Sequence, residues 1–233
     1  MRVCSIHQPQ YLPWLGYFDK IARADVFVLL DNVQFKKNEW QNRNRIRNAQ
    51  GWQWITVPVL HDHGQLINEV RLNVTVDWRQ QHVRSIEQNY GKAPFFKEYW
   101  PRIRAIYSRD WLTLADLNIA LVKLFIEILG IRTRIVTASA LNITSVKTQR
   151  LIDICRALEC DAYLAGAGGA DYMDFDLMRS SGITLQSQAY QHPVYPQVWS
   201  RAEADFQPFM SILDLVMNCG DKSLGILKDP GIQ

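Results

Sequence analysis

The sequence predicts an α/β fold, a doubly wound and mainly parallel Rossmann-like sheet with an inserted helical layer. Three observations predict it. RVCSI at 2–6 and VFVLL at 26–30 are short aliphatic runs of the kind that strands buried on both faces require. GYFDKIARA between them has helical spacing, which makes a strand, helix, strand unit. The alternation returns past 130, where IRTRIVTAS reads as strand, SVKTQRLIDICRALEC as helix and DAYLAG as strand.

The other elements follow in order. WQWITVPVL (52–60) reads as a third strand, and LINEVRLN (66–73) alternates like its hairpin partner at the sheet edge, with HDHG as the turn. From about 77 to 130 the pattern is helical. Asp77 suits an N-cap, GKAP breaks the run, and Gly130 suits a C-cap. Ser145 is placed to cap the next helix, FDLMRSSG forms a short helix closed by Gly182, ITLQSQAY is a last strand, and SILDLVMNCG is an amphipathic helix. With no internal repeat or linker, 1–233 reads as one domain carrying the helical insertion.

At 233 residues the chain can bury a large core, and 48% hydrophobic with 21% charged residues excludes a disordered or fibrous class. A formal charge of +3 suits phosphorylated small molecules and falls short of a nucleic-acid-binding signature. Cys4, Cys155, Cys160 and Cys219 form no CxxC pair or zinc spacing, so free thiols and no metal are expected. The chain enters a strand at once and no apolar run approaches a membrane span, so a cytoplasmic protein without membrane insertion is expected.

Ligands of doubly wound sheets bind beyond the carboxyl ends of the strands, and that rule sorts the motifs. HQPQYLPWLGYF (7–18) follows the first strand. Pro9 and Pro13 stiffen it around Tyr11, and Gly16 lets the next helix start close to the sheet. Tyr17 and Phe18 read as core, whereas His7 and Gln8 read as site residues. DNVQFKKNEWQNRNRIRN (31–48) follows the second strand and gathers Asp31, Gln34, Lys36, Lys37, Trp40, Arg43, Arg45 and Arg47. Lysines with fork-shaped arginines fit a phosphate or pyrophosphate grip better than RNA contact. Asp31 would be a base or a metal ligand. YLAGAGGADYMD (163–174) places Gly166, Gly168 and Gly169 where backbone N–H groups can meet an anion, with Asp171, Tyr172 and Asp174 at the mouth. Lys147, Thr148 and Arg150 stand at a helix start, and His192, Tyr195 and Gln197 lie in a loop between prolines that could close over a ligand. His61, His63 and His82 read as surface histidines. No GxSxG elbow or HExxH is present, and nothing pairs a cysteine with a histidine.

Together HQPQYLPWLGYFDKI, LLDNVQFKKNEWQNRNRI, GKAPFF, YLAGAGGADYMD and QHPVYPQ with SILDL resemble the WbqC-like family of bacterial proteins over nearly the whole chain. The resemblance implies an accessory transferase of O-antigen (lipopolysaccharide) gene clusters, linked to acylation of amino sugars with amino acids such as glycine. A weaker likeness, IHQPQYLPW followed by VLLDNVQF, is to the pantothenate synthetases, which join a carboxylate to an amine through an acyl adenylate. It implies ATP with magnesium, although Trp14 stands where the second histidine of that motif belongs. The expected activity is therefore an acyl or aminoacyl (glycyl) transferase or amide ligase. It would act on a nucleotide-linked amino sugar with an acyl or aminoacyl donor, an aminoacyl-tRNA among the possible donors. His7 would be a base tuned toward neutral pH, since an amine attacks only when neutral. Asp31 and Tyr11 would orient the amine or sugar, Lys36, Lys37, Arg43 and Arg45 would hold the pyrophosphate, and Gly166 to Gly169 would seat a phosphate or the donor. A nucleotidyltransferase-like adenylate former and a non-catalytic sugar-nucleotide or RNA-binding module are the alternatives.

Overall fold

The computed structural model describes residues 1–166, 168–169 and 173–228. In chain order the strands are β1 (Val3–His7), β2 (Val26–Leu29), β3 (Arg43–Asn48), β4 (Gly51–Thr56), β5 (Val59–Leu60), β6 (Arg71–Leu72), β7 (Arg134–Thr137), β8 (Ala162–Ala165) and β9 (Thr184–Ser187). The helices are α1 (Leu15–Ala22), α2 (Trp78–Tyr90), α3 (Phe96–Tyr107), α4 (Leu114–Leu129), α5 (Lys147–Ala157), α6 (Phe175–Ser180), α7 (Ile212–Cys219) and α8 (Ser223–Lys228). The chain divides into two compact units. The first comprises Met1–Gln8, Asp19–Val33 and Arg132–Tyr190, and the second Pro9–Phe18, Gln34–Ile131 and Gln191–Gln233.

The first unit holds a five-stranded sheet in the order β7-β2-β1-β8-β9, parallel throughout, as in a Rossmann-like doubly wound fold. From β1 the chain winds outward through β2 to β7, then returns to the other side of β1 as β8. The order therefore reverses between β1 and β8, and the crevice beyond their carboxyl ends is the topological switch point. β2 and β8 are buried at every position, which explains their unbroken apolar sequence. Cys4, Ile6, Val26 and Val28 pack with Ile152, Cys155 and Tyr163 in one core cluster.

The second unit is built from helices, small sheets and no part of that parallel sheet. Asp77 caps α2 by accepting from Gln80 N, Thr113 caps α4 by accepting from Asp116 N, and Gly130 ends α4 at φ +67°. WQWITVPVL does not join the main sheet. β4 pairs antiparallel with β3, and β5 pairs with β6 in a sheet of its own. The segment predicted as a charged run thus contributes a strand, because the apolar residues of β4 supply the partner its own composition lacks. Ser145 is not a cap either. Val146 holds that position in α5 without a side-chain bond, and the Ser145 carbonyl accepts from Arg150 Nε.

Tyr11 is fully buried in the interior of the second unit. Its hydroxyl meets His82 Nδ1 at 2.8 Å and the Tyr107 hydroxyl at 2.6 Å, while His82 Nε2 lies 3.0 Å from the Thr56 carbonyl. A carbonyl can only accept, so Nε2–H donates to Thr56, Nδ1 accepts from Tyr11, and Tyr11 accepts from Tyr107. Every polar atom of this relay is satisfied. Burial pushes the His82 imidazole down to about 4, and this histidine, expected at the surface, is an interior one. Gly16 serves Trp14 rather than the sheet, because the Trp14 indole occupies the space a Cβ there would need.

Candidate functional site

His7 ends β1 at the switch point of the first unit, with Gln8 after it. Its Nδ1 lies 3.2 Å from the Gln8 carbonyl, so Nδ1 carries the proton and Nε2 is the basic nitrogen. Burial first, and then the charge of Lys20, push the His7 imidazole down to about 3. His7 thus lies below the near-neutral range expected of it as a base, since burial and a cation nearby both disfavour the charged ring. Lys20 is the group the motif reading missed. It is 3% exposed, and its ammonium donates to the Ile6 carbonyl at 3.0 Å. A Cβ on Gly166, at the end of β8, would stand 3.6 Å from the Lys20 Nζ. No ion pair among the described residues engages Lys20, since the neighbouring Asp19 is taken by Arg23 at 2.7 Å and by Gln188 Nε2 at 2.7 Å. Burial lowers the Lys20 ammonium to about 8, which leaves it charged at pH 7. The signal for it was a lysine three residues after Tyr17, inside an otherwise apolar helical face.

The glycine turn lies in the same unit. Gly169 N–H donates to the Gly166 carbonyl at 2.9 Å, so that N–H closes the turn and does not point at a ligand. Gly168 is exposed, with open space where a Cβ would be. Asp171 and Tyr172 lie outside the described residues. Asp174 caps α6 by accepting from Leu177 N, and its own N–H donates to Thr148 Oγ. Asp31 is no candidate base: it is 4% exposed, and Ser139 donates to it from N at 2.9 Å and from Oγ at 2.6 Å, which fastens the turn after β7. Among the described residues no group of three or more His, Cys, Asp or Glu side chains could hold a metal ion.

Gln34, Lys36, Lys37, Trp40, Arg43 and Arg45 belong to the second unit. Gln34, Lys36 and Lys37 are exposed. Arg43 lies 4.2 Å over the Trp54 ring, and Arg45 lies 4.5, 5.2 and 5.6 Å from the rings of Trp52, Trp54 and Trp40. Arg47 is buried instead, donating to the Asn48, Gly51 and Asp205 carbonyls. His192 is held in place: Phe209 N–H donates to its Nε2 at 3.0 Å, so Nδ1–H donates to the Pro193 carbonyl at 2.8 Å, and burial keeps the ring below its ordinary pKa. Tyr195 Oη and Gln197 Nε2 donate to the buried Asp214 at 2.9 and 2.6 Å, so this loop is a packed wall rather than a closing flap. The wall borders a cavity of about 1040 Å³ lined also by Phe95, Phe206 and Ile226. Burial raises the Asp214 carboxyl to about 6 against the pull of those two donors.

All four cysteines are free and buried, and no helix among the described residues is long and apolar enough to cross a membrane. No solved structure matches the chain. An uncharacterized protein of Mycobacterium tuberculosis (strain ATCC 25618 / H37Rv), Rv1507c, is 35% identical over 237 residues, covering 98% of this chain and 98% of its own. The model of the WbqC-like protein family matches residues 8–226. The span takes in the arginine run and the opening motif from Gln8 onward, and the chain belongs to the WbqC-like protein family.

Proposed function

We propose that the protein transfers an acyl or aminoacyl group, glycyl among them, to the amine of a nucleotide-linked amino sugar in the cytoplasm, forming an amide for a surface polysaccharide. The observation that carries this reading is the Lys20 ammonium, buried at the switch point with a carbonyl as its hydrogen-bond partner and no carboxylate paired to it among the described residues. Burying an unanswered charge costs several kcal/mol, of order 3–5 when a partner is removed, so a substrate that supplies an anion is favoured there. An acyl group activated as a mixed anhydride with phosphate, made from ATP and a carboxylate, supplies one.

The step balances as follows. The amine lone pair forms a C–N bond to the donor carbonyl carbon, the carbon–oxygen bond to the phosphate breaks, and the phosphate leaves with the bonding pair. Lys20 stabilises the charge gathering on that leaving group. His7 Nε2 takes the proton lost from nitrogen and passes it to solvent. An anionic donor offsets the Lys20 charge that helps hold His7 near 3, so His7 gains basicity when the donor is bound.

The test is incubation of the purified chain with a nucleotide-linked amino sugar and, in separate arms, ATP plus glycine, a glycyl thioester carrier or glycyl-tRNA. A glycyl mass gain on the sugar is expected, and it should be lost in Lys20→Met. Pyrophosphate release without amide would mark a nucleotidyltransferase. Binding with no product in any arm would mark a binding module and overturn the reading.

A further inference from the structure

The β3–β4 hairpin sorts its side chains by register. Arg43 faces Thr56, Arg45 faces Trp54 and Arg47 faces Trp52, which puts three arginines and two indoles on one face. Asn44, Ile46 and Ile55 on the other face are buried. The inward face alone accounts for folding. The outward face keeps Trp52 39% and Trp54 37% exposed, with rings 5.5 Å apart, and Trp40 follows 5.6 Å from Trp54.

Arg47 is consumed by carbonyls, but Arg43 and Arg45 are not. No ion pair among the described residues engages either one, and neither Nε has a hydrogen-bond partner. The indoles nevertheless hold both guanidiniums in place, within 4.2 to 5.6 Å of ring centroids. A guanidinium fixed by stacking loses little further freedom when its N–H fork meets two oxygens of one phosphate. Exposed indoles beside it offer π faces to a flat ring. Anion and flat ring together describe a nucleotide. The face offers two such guanidiniums, and the formal charge of the chain is only +3, so its capacity matches two phosphates rather than a nucleic-acid backbone.

We propose that the outward face of the β3–β4 hairpin binds a nucleoside diphosphate, with Arg43 and Arg45 taking the phosphates and the indoles of Trp52 and Trp54 receiving the base. This rests on the reading that the acceptor sugar is nucleotide-linked.

The full chain is titrated with UDP, ADP, inorganic pyrophosphate and a short single-stranded ribo-oligonucleotide, following tryptophan fluorescence and heat. A diphosphate should quench fluorescence and bind more tightly than pyrophosphate, and Arg45→Ala and Trp52→Ala should each weaken it by about 10-fold or more. Arg45→Lys, which keeps the charge but not the fork or the stacking, should weaken it nearly as much, while Trp52→Phe should retain most of it. Unchanged far-UV circular dichroism secures those comparisons. The proposal is overturned if neither alanine variant changes the affinity, if pyrophosphate binds as well as UDP, or if the oligonucleotide binds where diphosphates do not. The two readings fail separately. Diphosphate binding without amide formation by any donor removes the activity alone, whereas amide formation by a chain that binds no diphosphate removes this site alone.

Discussion

Lys20 and His7 oppose protonation for one reason: burial penalises their charged forms, and for His7 the Lys20 charge adds to it. For Lys20 the folded value is about 8 against 10.5, so between those values the unfolded chain holds more protons and stability rises with pH. For His7 the folded value is about 3, and for His82 about 4, each against 6.5. Their neutral rings cost nothing above pH 6.5, and stability is lost as pH falls from there toward 4 and 3. Lys20→Met should leave the chain at least as stable at pH 7 and remove the gain between pH 8 and 10.5, because an apolar stem then fills the same space. A loss above about 2 kcal/mol in urea unfolding would instead make Lys20 a structural tie and withdraw it from the site. His82→Gln can still accept from Tyr11 and donate to Thr56. It should therefore fold, with a shallower loss of stability between pH 6.5 and 4 than the parent chain.

The end of α7 shows how an element is fixed by a contact its own sequence does not announce. Gly220 closes the helix at φ +56°, with the Phe95 ring lying where a Cβ would go. Gly220→Ala should cost about 2 kcal/mol or more, from the left-handed backbone and the overlap together. In a Phe95→Ala background the overlap is gone, and the added cost of Gly220→Ala should fall to about 1 kcal/mol, which a double-mutant cycle by urea unfolding reads directly. In the first turn of α7, Asp214 is buried, with Tyr195 and Gln197 both donating to its Oδ2. Its folded value is about 6 against 3.8, so the folded chain binds the extra proton and stability falls as pH rises through that window. Asp214→Asn should flatten that fall and be the more stable protein at pH 7.5. The helices 77–130 were legible because caps such as Asp77 and Gly130 are local signals. Strand β3 was not. RNRIRN carries arginine or asparagine at five of its six positions, and only the pairing with Trp52 and Trp54 makes one face of it a surface.

At the scale of the molecule, the parallel sheet was legible because its inner strands β2 and β8 are buried at every position and are written as short apolar runs, with β1 nearly so. What no run of sequence states is how the chain is shared between units. It passes from one to the other after Gln8, Phe18, Val33, Ile131 and Tyr190, so neither unit is a continuous stretch. The same distance from local pattern hid Lys20, whose burial is set by β1 and β8, strands that meet across more than 150 residues of sequence. Interleaving has a mechanical consequence. A fragment ending at Ile131 keeps α2, α3 and α4 intact yet lacks β7, β8 and β9 of the first unit and α7 of the second, leaving both cores open. Cys4 reports on this, since it is 0% exposed on β1 between β2 and β8. In the whole chain its thiol should resist a disulfide reagent until denaturant is added. In fragment 1–131 it should react at the rate of a free thiol, alongside loss of a cooperative thermal transition, because removing β8 uncovers the central strand along its full edge. Protection of Cys4 in the fragment would mean that β1 and β2 form a stable sheet without their later partners. Two parallel strands leave an open edge and an uncovered face, and isolated pairs of that size are marginal in water.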